Sequence, residues 1–234
     1  MGQMQLSSNV DCSSLTTDEI NFRVKDLIFN KHTNILLKNV HDKSGLLEGL
    51  KGVLKIEMIG DLSSNFANNV SELKIIVNGN VGDNSACNVS RSKFTVFGSC
   101  LSNFGGDARS SEFYILENCG KSSFSNLNNG CKVVIGGQPN SDFALGNDGA
   151  SIIILNLKGG SIFVEDGWFK NYKSGRIYIR GTKDSIKNLS NIFSLKEVSE
   201  TDEDIYLPLI SEFARLFSCS LSEIKSMPFF RIDK

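Results

Sequence analysis

The middle of the chain repeats with a period of 19 or 20 residues, and this period restricts the possible folds more than any other feature of the sequence. Five copies follow one another without a gap, at residues 54–72, 73–91, 92–111, 112–130 and 131–149. A unit of this length cannot bury an apolar face by itself, so neighbouring copies must cover one another. The period therefore predicts a solenoid in which each copy forms one coil.

Each copy begins with apolar residues at alternate positions, which is the pattern of a β-strand with one buried face. The side chains expected to point inward are Ile56 and Met58, Ile75 and Val77, Phe94 and Val96, Phe113 and Ile115, and Val133 and Ile135. Two residues after most of these pairs, and after the last strand, comes a glycine: Gly60, Gly79, Gly98, Gly137 and Gly181, with Glu117 in the fourth copy. Because glycine tolerates a positive φ, each strand is predicted to end there in a sharp turn.

Three further columns align in the second half of each copy. A small polar residue comes first, at Asn65, Asn84, Asn103, Ser123 and Asp142. An aromatic residue follows in four copies, at Phe66, Phe104, Phe124 and Phe143, where Phe124 needs a slip of one residue and Ser85 replaces the ring in the second copy. A very small residue comes third, at Ala67, Ala86, Gly105, Ser125 and Ala144. The columns predict a corner of left-handed residues beside an internal aromatic stack.

The termini have helical patterns that would close the open ends of a solenoid. Thr16 and Glu19 form a capping box before an amphipathic segment, and a second amphipathic helix is expected around Leu209 and Phe213, followed by a short helix that starts at Ser220. We therefore predict one all-β domain over residues 1–234, with α-helical caps at both ends. Its predicted parts are a cap helix and first strand at 10–40, parallel β-helix coils of about 19 residues at 41–181, and a helical cap at 182–234.

Composition excludes several classes of partner. Lysine and arginine number 25 against 26 aspartate and glutamate, so no bulk charge attracts nucleic acid or an anionic membrane. No apolar run approaches the roughly 20 residues that span a bilayer, and the first residues have no signal-peptide pattern. The six cysteines include no C-x-x-C pair, which favours free thiols over a metal site. These features predict a soluble, cytoplasmic protein.

The coils resemble degenerate copies of a repeat rich in G-x-G, best seen at residues 79–83, 93–98 and 174–181. This repeat is similar to that of the G-x-G-x-G family, which includes the C-terminal domain of the glutamate synthase large subunit, its free-standing form, and one of the subunits of formylmethanofuran dehydrogenase. Residues 10–11, 15–16, 19–21 and 35–40 also look like the lead-in of the free-standing form. A second glycine pair that is usual in the repeat is replaced at 71–72, 91–92 and 110–111.

The resemblance implies a right-handed, single-stranded parallel β-helix and a non-catalytic scaffold subunit of a glutamate-synthase-like oxidoreductase. The expected partners are the flavin and amidotransferase subunits, which carry the chemistry, so we expect no catalytic, cofactor-binding or metal-binding residue in this chain. The alternative is a free-standing β-helix that serves as an interaction or self-assembly module and forms a homo-oligomer.

The adjacent aromatic residues Trp168 and Phe169 have two possible interpretations. Trp168 and Phe169 lie where the spacing between successive strands widens, and they could form a loop that anchors a partner. The favoured alternative is that Trp168 fills the wider end of the solenoid core.

Overall fold

The computed structural model of the protein describes residues 6–128, 130–162, 167–186, 189 and 192–233. Eleven strands in this part of the chain belong to one sheet, and three helices accompany them. The strands are β1 Leu6–Asp11, β2 His32–Lys38, β3 Lys51–Ile59, β4 Ser71–Asn78, β5 Lys93–Val96, β6 Glu112–Ile115, β7 Lys132–Ile135, β8 Asp148–Ile154, β9 Ser174–Arg180, β10 Ser194–Glu197 and β11 Phe229–Asp233. The helices are α1 Thr17–Phe29, α2 Glu200–Phe217 and α3 Leu221–Lys225.

Strands β1 to β9 pair in chain order, and every pair is parallel. Because the pairs are parallel, each connection brings the chain back to the end of the sheet at which the previous strand began. The result is a parallel β-helix of about six turns, as the repeat predicted. Ile56 pairs with Ile75, Ile75 with Phe94, and Phe94 with Phe113. The inward columns of the strands are thus stacked in register along the solenoid.

The inward side chains form one continuous core. Ile56, Ile75, Phe94, Phe113 and Val133 are fully buried, as the alternating pattern predicted. Each such side chain stabilises the fold by roughly 1.5–3 kcal/mol relative to an exposed position. Neighbouring rings add directional contacts, since Phe94 and Phe113 stack with their centroids 5.3 Å apart.

Helix α1 replaces part of a coil between β1 and β2. The predicted capping box is present, with Glu19 N–H donating to Thr16 Oγ1 and Thr16 N–H donating to the Glu19 carboxylate. Ile20 and Val24 join the core, and the Asn21 amide bonds the next coil at Gly45 and Leu47. The helix therefore packs against the core beside β2.

The C-terminal segment differs from the predicted helical cap at 182–234. Helix α2 packs on the outer face of the sheet, where Tyr114, Val134, Ile153 and Tyr178 point away from the solenoid core. Strands β11 and β10 extend the sheet beyond β9 in antiparallel orientation. The physical reason is the apolar outer face of β6 to β9, which would be exposed to water without a cover.

Candidate functional site

The corner of each coil has left-handed residues at alternate positions. Asn65, Asn84 and Asn103 have φ values of 59°, 54° and 56°. The third residue of the corner, Ala67 or Ala86, is also left-handed. Asparagine and small residues tolerate this conformation best, which explains the small polar and very small columns of the sequence. Between them, Phe66, Phe104 and Phe143 belong to the core and are fully buried.

The fourth coil differs from the predicted alignment. Ser122, and not Ser123, takes the left-handed corner position, and Phe124 itself is left-handed with a φ of 59°. Phe124 thus occupies the backbone position of Gly105 in the preceding coil, yet its ring still packs between Phe104 and Phe143 at 5.6 and 6.0 Å. A Cβ atom on Gly105 would lie 2.7 Å from that ring, so the glycine makes room for the slipped phenylalanine.

The turn glycines are needed for close packing more than for their backbone freedom. Of the predicted positions, Gly60 has a positive φ of 130°, whereas Gly79, Gly98, Gly137 and Gly181 do not. A Cβ atom on Gly98 would lie 2.7 Å from the carbonyl oxygen of Gly79, and Gly79 and Gly137 approach the preceding coil in the same way. The positive φ that glycine permits is therefore not used at these four positions. At Gly79, Gly98 and Gly137 the preceding coil leaves no room for a side chain, and at Gly181 the crowding atoms belong to Ser185 and Ile186.

A ladder of polar side chains follows these glycines and joins successive coils. Asn80 N–H donates to Asp61 Oδ1 (2.7 Å), Ser99 N–H to Asn80 Oδ1 (2.8 Å), and Gln138 N–H to Asn118 Oδ1 (2.8 Å). Sequence analysis missed this ladder. Its signal is the polar residue that directly follows each turn glycine, in register with the period.

The outer face of the sheet carries a row of three lysines in register, Lys55, Lys74 and Lys93. Like charges on directly opposed residues repel one another, so this arrangement needs compensating carboxylates. Lys55 Nζ lies 3.1 Å from Glu57, and Lys93 Nζ lies 2.5 Å from Glu212 of α2. Lys74 is exposed, and it has no ion pair within the part of the chain that the structure describes.

The row borders an open groove of about 530 Å³ at the start of strands β3 to β6. Arg91 and Glu72 stand on its rim and form an ion pair of 3.0 Å. Both residues have positive φ values, 46° and 65°. Two long charged side chains therefore project from a corner where glycine would be the less strained choice.

An apolar strip runs across the outer face beside the lysine row. At its covered end, Tyr114, Val134 and Ile153 are buried under α2. The register continues the strip through Thr95 and then through the half-buried Ile76. Next to it, Phe97 is 37% exposed and touches the last ring of α2, Phe217, at a centroid distance of 5.0 Å.

Charged groups fix both ends of α2 on this face. Burial raises the pKa of Asp202, but hydrogen bonds from Ser199, Arg231 and Tyr178 outweigh it and lower that pKa to about 2. A hydrogen bond from Arg215, together with the charge of Lys93, lowers the pKa of Glu212 to about 2. Both carboxylates are therefore held ionised by cations and hydroxyl groups that surround the helix.

Trp168 and Phe169 are both buried in the aromatic stack. The Trp168 indole N–H donates to the carbonyl oxygen of Asn140 (2.8 Å), which ties the widened coil to its neighbour. Their burial excludes the interpretation of a loop exposed to a partner.

Within the described ranges, no three His, Cys, Asp or Glu side chains are placed to hold a metal ion together. None of the helices in those ranges is long and apolar enough to cross a membrane. No protein-family model, curated protein or solved structure matches the chain. The outer face of the sheet, with its lysine row and apolar strip, is accordingly the candidate functional surface.

Proposed function

We propose that this chain is a non-catalytic structural subunit or domain that holds the flavin and amidotransferase components of a glutamate-synthase-like oxidoreductase. In this proposal it is a right-handed β-helix of the G-x-G-x-G type, with coils of about 19 residues, and it works in the cytoplasm. The observation that carries the proposal is the ladder of Asp61, Asn80, Ser99, Asn118 and Gln138, which uses polar side chains to join coils.

The charged groups with the most hydrogen bonds also join structural elements to one another. Asp202 and Glu212 attach α2 to the outer face, and the guanidinium of Arg180 donates to the carbonyl oxygens of Ile224 (2.6 Å) and Leu155 (3.1 Å). Rigid, extended solenoids suit the task of presenting long surfaces to protein partners. These contacts support a scaffold role.

Affinity capture of the native protein under mild conditions, followed by mass spectrometry and a visible spectrum, tests this proposal. A flavoprotein and an amidotransferase are expected in the captured complex. The isolated chain is expected to be colourless and to show no glutamine-dependent turnover. Repeated capture that recovers neither component would contradict the proposed scaffold role.

A specific observation favours a second candidate, a self-assembling module. Phe22 and Phe29 of α1 are 72% and 80% exposed, and they lie seven residues apart on one face of that helix. In this candidate, the N-terminal end of one copy packs on that of another. Light scattering on the purified protein separates the two candidates, because a stable homo-oligomer that captures no partner favours self-assembly.

A further inference from the structure

The outer face of the sheet consists of a covered half and an open half. Helix α2 crosses the covered half from Tyr178 on β9, which bonds Asp202, to Lys93 on β5, which pairs with Glu212. Beyond the end of α2, the open half consists of the outward residues of β2 to β4. They include Leu36, Lys55, Glu57, Ile59, Lys74 and Ile76.

The covered half shows what kind of segment this face binds. Helix α2 has five acidic residues and one basic residue, and its buried face is apolar. Phe213 packs on the outer face beside Gly136, while Glu212 at its side reaches the lysine row. The occupant of the covered half is thus an acidic amphipathic helix.

The open half continues the lysine row and part of the apolar strip. Lys74 on β4 and Lys55 on β3 extend the row in which Lys93 binds the carboxylate of α2. In the column of the strip, the half-buried Ile76 lies on β4 and the half-buried Leu36 on β2, and Glu57 of β3 stands between them, paired with Lys55 at 3.1 Å. A helix laid end to end with α2 would therefore first meet Ile76 beside Lys74, the lysine of the row that has no ion pair within the described residues.

We infer that the open half binds an acidic amphipathic helix of a partner protein. One carboxylate of that helix pairs with Lys74, and its apolar side chains cover Ile76 and Leu36. This inference rests on the proposed scaffold function, for which it names the docking surface and the chemistry of the docking segment.

Charge makes α1 of a second copy the poorer occupant. That helix has three acidic and two basic residues, and both Lys25 and Asp26 lie between the exposed Phe22 and Phe29. Helix α2 has five acidic residues and one basic residue. A helix with the charge of α2 is the better complement to the lysine row and is favoured for that reason.

A peptide with the sequence of residues 199–218 is a suitable probe, because it is the acidic helix that this face already binds. Labelled with a fluorophore and titrated with the full chain, it should bind with a measurable Kd. Lys74→Glu places like charges together and should weaken binding about five- to tenfold, and Ile76→Ser should weaken it by a similar factor. Lys25→Glu makes the same charge change on α1 and should leave the Kd unchanged.

A charge swap makes the test specific to one contact. The peptide carrying Glu212→Lys should bind the Lys74→Glu chain more tightly than it binds the unmodified chain. Failure of the original peptide to bind at about 1 mM, which is weaker than −4.1 kcal/mol of binding free energy, overturns the inference. Equal Kd values for the unmodified, Lys74→Glu and Ile76→Ser chains overturn it as well.

Capture experiments distinguish this inference from the proposed function. Capture of the flavoprotein and the amidotransferase by the unmodified chain but not by the Lys74→Glu, Ile76→Ser double variant supports both. Equal capture by both chains overturns the docking surface and leaves the scaffold role standing. Failure of the unmodified chain to capture either component removes the scaffold role, and the peptide titration then decides the inference by itself.

Discussion

At the scale of single residues, this fold depends on positions where a side chain either has no room or must be left-handed. Gly105 combines both conditions, with a φ of 71° and the Phe124 ring against it. The adjacent Gly106 has neither, since an added Cβ atom would find its nearest neighbour 3.8 Å away. Comparing substitutions at Gly105 and Gly106 therefore separates the effect of crowding and left-handed strain from the effect of replacing any glycine with a larger residue.

We predict that Gly105→Ala destabilises the protein by about 2–4 kcal/mol, because it adds left-handed strain to a clash within a packed core. Gly106→Ala is expected to change stability by less than about 1 kcal/mol. Urea denaturation followed by circular dichroism measures both. Equal effects of the two substitutions would show that Phe124 does not depend on the space at Gly105.

Asp202 provides a prediction about pH. Its folded-state pKa of about 2 lies below the ordinary value of 3.8, so its contribution to stability is present above pH 3.8 and is lost as the pH falls towards 2. Asp202→Asn should remove roughly 1–2 kcal/mol of stability at pH 7. The deficit relative to the unmodified protein should shrink between pH 4 and pH 2.

Denaturation curves at pH 7, 4, 3 and 2 measure this effect. Asp204→Asn is the matched control, because Asp204 is an exposed carboxylate on the same helix. The control should retain the pH dependence of the unmodified protein. A deficit for Asp202→Asn that stays constant down to pH 2 would contradict the prediction.

At the scale of secondary-structure elements, α2 depends on the outer face that it covers. Phe213 is fully buried there, and its neighbours include Phe217 at a ring distance of 4.6 Å. Asp202 and Glu212 hold the helix from its two ends. The ring supplies most of the apolar contact, whereas the charged groups fix the position of the helix along the strip.

We predict that Phe213→Ala costs about 3–5 kcal/mol and loosens α2 before the coils beneath it unfold. Hydrogen exchange with mass spectrometry should show faster exchange in residues 200–217 and little change in β3 and β4. Phe22→Ala on α1 is the control, because that ring is largely exposed. Uniformly faster exchange over all strands would show that α2 and the coils unfold as one unit.

At the scale of the whole molecule, the coils form a linear array in which each contacts its immediate neighbours. In such arrays, stability is approximately the sum of the coils and the interfaces between them. Interior coils have two interfaces, whereas β1 and β10 stand at the two ends of the sheet. The ends should therefore open more often than the middle.

Hydrogen exchange of the unmodified protein should accordingly show a gradient. Backbone amides of β5 to β7 are expected to exchange most slowly, and those of β1 and β10 most rapidly. Peptide-level exchange over a range of times measures this gradient. The same protection in all strands would contradict it and would indicate a single cooperative unit.

The stacking of the coils follows from the repeat alone. A short period has one way to bury its apolar columns, so Ile56, Ile75 and Phe94 had to lie above one another. The left-handed corners at Asn65, Asn84 and Asn103 were also readable, because few residue types tolerate that conformation. Both features follow from local conformation and from contacts at a fixed separation in sequence.

Three features depend on contacts between distant parts of the chain: the position of α2, the residue that turns the corner of the fourth coil, and the need for the turn glycines. The amphipathic pattern of α2 shows that it has an apolar face, but it fits the end of a solenoid as well as its side. The position of α2 on the side of the solenoid depends on Tyr114, Val134 and Ile153, which lie on distant strands. Without the helix, their outward side chains would be exposed to water. The slip at Phe124 and the close approach at Gly98 likewise depend on atoms of the neighbouring coil, which are invisible within one repeat.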